Sequence, residues 1–289
     1  MEDFDGPLTR CPLCGSAGIE LYDTDYVNRT IYRCGECRIR FLNPQYSDEY
    51  LKKLYSGYGY AGAPDAHGRG EDDTMLEKRK EIHHYYLSLV ERYTPPGKFL
   101  SVGCGDGFEI RIARSRGWDA EGCDIDTAAI ERTKEQGFKV YAGNLHEIDF
   151  GTVAYDCIYL HHVLEHPKNP QDYLRKIRQL LTPSGILFVA SPNVSSISSS
   201  LKTLQARLRL NKRPMKHYDT WHHLFYYTPS KLKRLLEDQY EYEVLLTHCG
   251  LDDRHHRFSL PDTLTRKVGG LTSLKSKFVL ICRRAPSAS

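Results

Sequence analysis

Phe99-Leu100-Ser101-Val102-Gly103-Cys104-Gly105-Asp106-Gly107-Phe108-Glu109 is the stretch whose reading decides the fold. The apolar run Phe99 to Val102 predicts a buried strand, three glycines at alternating positions follow it, and a helical pattern opens at Asp106. A strand, a glycine turn and a helix in that order form a nucleotide-binding arrangement. A ligand approaches the backbone closely only where no Cβ intervenes, and such turns often require positive φ. A dinucleotide fingerprint would place a small residue at position 108, where this chain has Phe108. Asp106, read as the helix N-cap, would set a carboxylate beside a phosphate. A ligand without phosphate at the turn fits better.

Outward from this turn, strand-like and helix-like segments alternate, as expected for a parallel sheet covered on both faces. Trp118 to Ile125 reads as the second strand and brings Asp124 to its end, where a carboxylate can accept both hydroxyls of a ribose. Asp126 reads as the N-cap of a helix from Thr127 to Gln136 that Gly137 ends. Phe138 to Tyr141 is a third strand, with Asn144 and Leu145 just beyond it. Tyr155 to Leu160 is a fourth, running into His161-His162-Val163-Leu164-Glu165-His166. A helix over about Pro170 to Leu181, a turn at Thr182-Pro183-Ser184-Gly185 and a fifth strand at Ile186 to Ala190 follow. Thr228 and Pro229 start a helix ending near Asp238, and Tyr242 to Thr247 and Lys277 to Arg283 read as the last two strands. The segment 254–276 between them is unassigned.

Leu100-Ser101-Val102-Gly103-Cys104-Gly105-Asp106-Gly107, paired with Asp124 at the next strand end, resembles the first motifs of the class I S-adenosylmethionine-dependent methyltransferases. The resemblance implies an α/β, Rossmann-like sheet, mostly parallel with the last strand antiparallel, and S-adenosylmethionine as cofactor. It implies cofactor contacts from Gly103, Cys104, Gly105 and Gly107, from Asp124 and Ile125 at the ribose, from Asn144 and Leu145 at the adenine, and from His161 after the fourth strand.

Toward the N-terminus, Cys11-Pro12-Leu13-Cys14 and Cys34-Gly35-Glu36-Cys37 form two CxxC pairs at a separation that matches a four-thiolate zinc site. Short strands at Ile19 to Tyr22 and Thr30 to Arg33 lie between them, so the unit reads as a small zinc ribbon whose core is too small to fold without metal. Four protein ligands leave no open position, so this zinc is structural. The expected organisation is a ribbon over 1–45, a helical and loop linker with lid over 46–96, and the catalytic domain over 97–289, with an acceptor-site cap at 194–227. Within the linker, a short helix carries Leu51, Leu54 and Tyr55 and a second spans about Thr74 to Tyr93. The segment resembles the linker of ribbon-bearing bacterial methyltransferases, which implies Tyr55, Tyr58 and Tyr60 as candidate substrate or cofactor contacts, with loop packing the alternative.

The 289 residues carry a net charge of +3, too little to imply a nucleic-acid partner by itself. No apolar run reaches the ~18 residues of a membrane span, and the acidic start Met1-Glu2-Asp3-Phe4-Asp5 is unlike a signal peptide, so a cytoplasmic protein is expected. Ile197, Leu201, Leu204 and Leu208 have helical spacing among Lys202, Arg207, Arg209, Lys212, Arg213 and Lys216. This basic amphipathic tract over 197–216 could contact a membrane surface or a phosphorylated substrate, or cap the site with its charges in water.

A methyl carried on a sulfonium is already electrophilic, so an enzyme of the resembled class must align an acceptor and, for a hydroxyl, remove its proton. Histidine suits that task near neutral pH. His223, His162, His222 and His161 are the candidate bases, with His223 and His162 preferred. The nucleobase amino-methylating motif and the Pro-Cys of cytosine carbon methylation are both missing after the fourth strand, where Leu160-His161-His162 stands. The expected reaction is O-methylation of a small molecule, sugar or glycan, or lipid-linked precursor. One alternative is an RNA or protein methyltransferase that uses the ribbon's Arg33, Arg38 and Arg40 and the basic tract as its footprint. A non-catalytic module that keeps the fold is the other.

Overall fold

The computed structural model describes residues 3–25, 27–56, 73–197, 199–200, 204, 218–251, 271 and 275–285. Tyr58, Tyr60, most of the basic tract and most of 254–276 lie outside them.

The strand ahead of the glycine turn is β4 (Lys98–Val102), whose last four residues are buried. It pairs in parallel with β5 (Asp119–Asp124) on one side and with β7 (Tyr155–His161) on the other. β5 in turn pairs in parallel with β6 (Val140–Ala142). With β8 (Leu181–Pro192), β10 (Tyr242–Cys249) and β11 (Lys277–Arg284) these strands form a mixed, mostly parallel sheet in the order β10-β11-β8-β7-β4-β5-β6. The order turns back on itself between β4 and β7, and such a switch point opens a crevice at the carboxyl ends of the two strands.

Helices α2 (Asp73–Val90), α3 (Phe108–Ser115), α4 (Thr127–Glu135) and α5 (Pro170–Leu180) belong to the same α/β pattern. Ile82, Tyr86, Leu87 and Val90 of α2, Ile110 and Ala113 of α3, and Leu174 and Ile177 of α5 are buried, at the three-to-four-residue spacing of an apolar helix face. Each such Leu, Ile or Phe contributes roughly 1.5–3 kcal/mol by leaving water. Tyr159 of β7 and Phe188 of β8 stack with ring centroids 4.2 Å apart, and Phe99 packs 5.6 Å from Trp118.

Two helix starts bear on the site. Asp126 caps α4 as expected, accepting from the Ala128 and Ala129 amides. Asp106 does not cap α3. Gly107, left-handed at φ 74°, holds the N-cap position, and Asp106 Oδ1 accepts from the Phe108 amide 3.1 Å away. The left-handed residue reverses the chain one step later than a carboxylate cap would.

The fifth strand also differs from expectation. It begins at Leu181 and runs through Thr182-Pro183-Ser184-Gly185, which read as a turn. A Cβ at Gly185 would lie 2.8 Å from the carbonyl oxygen of Tyr155, so this glycine serves close strand approach.

A second, four-stranded sheet has the order β1-β2-β3-β9, with β1 (Ile19–Thr24), β2 (Thr30–Cys34), β3 (Arg40–Leu42) and β9 (Phe225–Tyr226). Each strand pairs antiparallel with its neighbour, and Phe41 pairs with Phe225. Helix α1 (Asp48–Tyr55) follows the ribbon, and α6 (Pro229–Tyr240) starts at Pro229 with Thr228 as N-cap.

The chain divides into two compact units. One comprises Met1–Ser47, His162–Gln171 and Val189–Leu280, and the other Asp48–His161, Asp172–Phe188 and Ile281–Ser289.

Candidate active site

The second unit carries the glycine turn. Gly103, Gly105 and Gly107 have φ of 71°, 48° and 74°, a region that costs L residues with a Cβ roughly 1–2 kcal/mol each. A Cβ at Gly105 would meet nothing within 4 Å, so the backbone there faces open space. A Cβ at Gly107 would lie 2.8 Å from Thr133 Cγ2, so that glycine admits α4. The turn is pinned from below. The amides of Gly103 and Cys104 donate to the Cys123 carbonyl, and Thr133 Oγ1 donates to the Gly105 carbonyl at 2.9 Å. Cys104 packs where Gly122 has no side chain, since a Cβ there would fall 2.8 Å from its sulfur. Burial, followed by the charge of Asp124, pushes the thiols of Cys104 and Cys123 far up, which leaves both protonated and unsuited to nucleophilic work.

Asp124 ends β5 beside this turn. Its Oδ2 accepts from the Gly105 amide and its Oδ1 from the Asp126 amide, each at 2.9 Å. Burial pushes its carboxyl up, against the two amides that favour the anion. Ile125 follows it with 41% of its surface exposed, while Leu145 is buried. Asn144 donates to Glu147 at 3.1 Å and accepts from the Tyr173 hydroxyl at 3.4 Å.

Val102 pairs with Leu160, so His161, the last residue of β7, stands one step past the final residue of β4. The glycine turn, Asp124, Asn144 and His161 therefore occupy the carboxyl ends of four neighbouring parallel strands. This arrangement can hold an adenosine-like ligand: open backbone at the turn, a half-buried carboxylate for vicinal hydroxyls, and an amide side chain beyond the third strand. His161 Nδ1 lies 3.4 Å from Glu109 Oε1, an acid in the first turn of α3 that the sequence reading did not single out. Its signal was faint. A glutamate at a helix start ordinarily reads as a solvated partner of the helix dipole.

The other three candidate bases belong to the first unit. His162 has a left-handed backbone, φ 57°, which is strained for a residue with a Cβ. Its Nδ1 lies 3.2 Å from Glu165 Oε1, and Glu165 Oε2 accepts from Ser191 Oγ at 3.1 Å. Burial pushes the Glu165 carboxyl up, with His166 opposing. His222 stands 3.4 Å from Asp219, and the rings of His222 and His223 meet edge to face at 4.1 Å. Desolvation, then the neighbouring imidazoles of His222, His166 and His162, hold His223 well below the ordinary histidine range. It is therefore neutral at pH 7. Glu165, His166 and His223 each bring one ligand-type atom within 4.8 Å of the others.

The same unit contains the four ribbon cysteines, whose sulfurs all lie within 4.8 Å of one another. Cys11 and Cys37 sulfurs are 3.7 Å apart and Cys14 and Cys34 sulfurs 3.5 Å. A tetrahedral thiolate site with metal–sulfur bonds of about 2.3 Å needs sulfurs about 3.8 Å apart, so the four clustered side chains are compatible with zinc. Tyr240 of α6 donates its hydroxyl to the Leu13 carbonyl at 2.8 Å, between the cysteines of the first pair.

A family model described as "Methyltransferase domain" matches residues 75–246. Two ubiquinone biosynthesis O-methyltransferases are similar in sequence. That of Chromobacterium violaceum is 24% identical over 179 residues, covering 59% of this chain and 76% of its own. That of Histophilus somni is 29% identical over 133 residues, covering 42% and 56%. Among solved structures, magnesium protoporphyrin IX methyltransferase from Synechocystis aligns with a TM-score of 0.55 at 13% identity, over 83% of this chain and all of that one. The plantazolicin methyltransferase BamL aligns with a TM-score of 0.51 at 20% identity, over 74% and 87%. At these identities the structural likeness is one of fold.

Proposed function

The chain belongs to the methyltransferase-domain family, and from that premise we propose that this S-adenosylmethionine-dependent methyltransferase O-methylates a small molecule, a sugar or glycan, or a lipid-linked precursor. The observation that carries the reading is the convergence of Gly105, Asp124, Asn144 and His161 on the carboxyl ends of β4, β5, β6 and β7. Gly103, Cys104, Gly105 and Gly107 cradle the cofactor. Asp124, beside Ile125, accepts its ribose hydroxyls, and Asn144 and Leu145 meet its adenine. When bound, the cofactor supplies an electrophilic methyl on a positively charged sulfur.

The chain's own work is to align the acceptor oxygen and take its proton. His161 fits that role because it ends β7 in the same unit as the glycine turn. His162, His222 and His223 remain alternatives for the base, and the neutral state of His223 suits a proton acceptor. The ubiquinone O-methyltransferases similar to this chain support a hydroxyl acceptor. A structural zinc held by Cys11, Cys14, Cys34 and Cys37 completes the proposal.

A second reading, methylation of RNA or protein, draws on one specific feature. Burial and then the charges of Arg40, Arg38 and Arg33 push the Lys231 ammonium down, so four cations share one neighbourhood. Among the described residues no helix is long and apolar enough to cross a membrane.

The test is transfer of labelled methyl from S-adenosylmethionine into an extract of the source cells, separated into RNA, protein, lipid and small-molecule fractions. Label in the lipid or small-molecule fraction, on oxygen by mass spectrometry, is the expected result. Label removed by nuclease or protease would replace it with the second reading.

A further inference from the structure

Glu109 is buried to 8% exposure in the first turn of α3, where a solvated glutamate would already serve the helix. Burying it costs free energy unless the carboxylate is held, and three other elements converge to hold it. From β4, Ser101 Oγ donates to Oε2 at 2.7 Å. From β7, His161 Nδ1 lies 3.4 Å from Oε1, and from α2, His83 Nε2 lies 3.9 Å from the same oxygen. His83 is fixed in turn by a 2.9 Å hydrogen bond between its Nδ1 and the Tyr159 hydroxyl, and the His83 and His161 rings stand edge to face at 4.7 Å. His161 thus turns one named nitrogen toward a carboxylate whose other oxygen is occupied.

We propose that Glu109 is the positioning residue of the methyl-transfer reaction: it holds the proton of His161 on Nδ1 and so presents Nε2 as the atom that accepts a proton from the substrate hydroxyl. The inference rests on the reading of the glycine turn as the cofactor site and of His161 as the base. In the step, the acceptor O–H proton passes to His161 Nε2 and the oxygen forms a bond to the methyl carbon. The carbon–sulfur bond breaks with its electron pair going to sulfur, which becomes a neutral thioether. Glu109 stabilises the imidazolium so formed, the part a buried carboxylate plays wherever it orients a histidine base.

Other charged and titratable groups face the pair. Arg79 and His83 on α2 favour the Glu109 anion, and Asp106 from the turn opposes it. Burial is the larger influence and pushes the carboxyl up.

The test is nitrogen NMR of the full chain labelled in histidine, with His161 assigned by the loss of its signals in His161→Gln. The expected wild-type spectrum shows neutral His161 protonated on Nδ1. In Glu109→Gln, which keeps the shape and removes the charge, the His161 titration falls by about one pH unit or more. Transfer of labelled methyl into the extract falls at least about tenfold, with calorimetric affinity for S-adenosylmethionine unchanged.

A wild-type His161 protonated on Nε2 overturns the proposal without any variant. So does a titration that does not move in Glu109→Gln, and so does one equivalent of Mn(II) that broadens the His83 and His161 signals, which would make the trio a metal site. Wild-type protein that fails to bind S-adenosylmethionine overturns the cofactor reading and this proposal together. Binding with the wrong tautomer overturns the proposal alone.

Discussion

Gly105 and Gly107 share a left-handed backbone yet do different work. At Gly105 a side chain would enter open space, so Gly105→Ala costs only its φ strain, about 1–2 kcal/mol, and its methyl occupies the surface proposed to receive the cofactor. At Gly107 the same methyl would strike Thr133 Cγ2 at 2.8 Å and press on Phe138, adding overpacking of roughly 1–3 kcal/mol. Thermal denaturation should therefore show the larger loss in Gly107→Ala, and calorimetry should show the larger loss of S-adenosylmethionine affinity, relative to stability, in Gly105→Ala. Equal effects of both kinds would remove the distinction. Residue-level legibility was uneven for a related reason. The glycines, Asp124 and Asn144 announce themselves by position after strands, a local signal. Glu109 becomes a site residue only because His83, Ser101 and His161, from 83 to 161 in the chain, meet around it. Asp106 was misread as a cap because a left-handed glycine and a capping acid compete for the same turn.

Among the elements, the proposed ribbon should depend most clearly on a bound group. Its sheet is β1-β2-β3 extended by the two residues of β9, and the Leu42 amide donates to the Leu224 carbonyl at 2.8 Å. Tyr46 reaches the Thr220 carbonyl at 2.9 Å. Losing the metal should loosen residues 218–226 as well as the cysteine loops. Elemental analysis should find one zinc per chain, and Cys14→Ser should release it, lower the melting temperature and speed hydrogen exchange at the Leu42 amide. A folded chain that lacks zinc yet protects that amide would contradict the assignment. The CxxC spacing made β1 and β2 legible. β3 and β9 were not, since elements of three and two residues carry no periodicity and their pairing joins positions 41 and 225. The early start of β8 was hidden by Thr182-Pro183-Ser184-Gly185, a turn composition that here serves close contact with β7.

At the scale of the whole molecule, the sheet order β10-β11-β8-β7-β4-β5-β6 is what gives the local motifs their chemistry. Alternating segments predicted a parallel sheet, and the switch point between β4 and β7 then sets the glycine turn and His161 on adjacent strand ends. The family match over residues 75–246 agrees with that architecture. The acceptor was not legible, because a sheet of this kind fixes where chemistry happens and leaves the substrate to loops and insertions. The most direct measurement of the central claim is therefore calorimetric titration of S-adenosylmethionine into wild-type protein and Asp124→Ala. Wild-type protein should bind one cofactor per chain, and the variant should bind about 10–100-fold more weakly, the worth of charge-assisted hydrogen bonds of about 1.5–3 kcal/mol. No binding by the wild type, or equal affinity in the variant, would contradict the account.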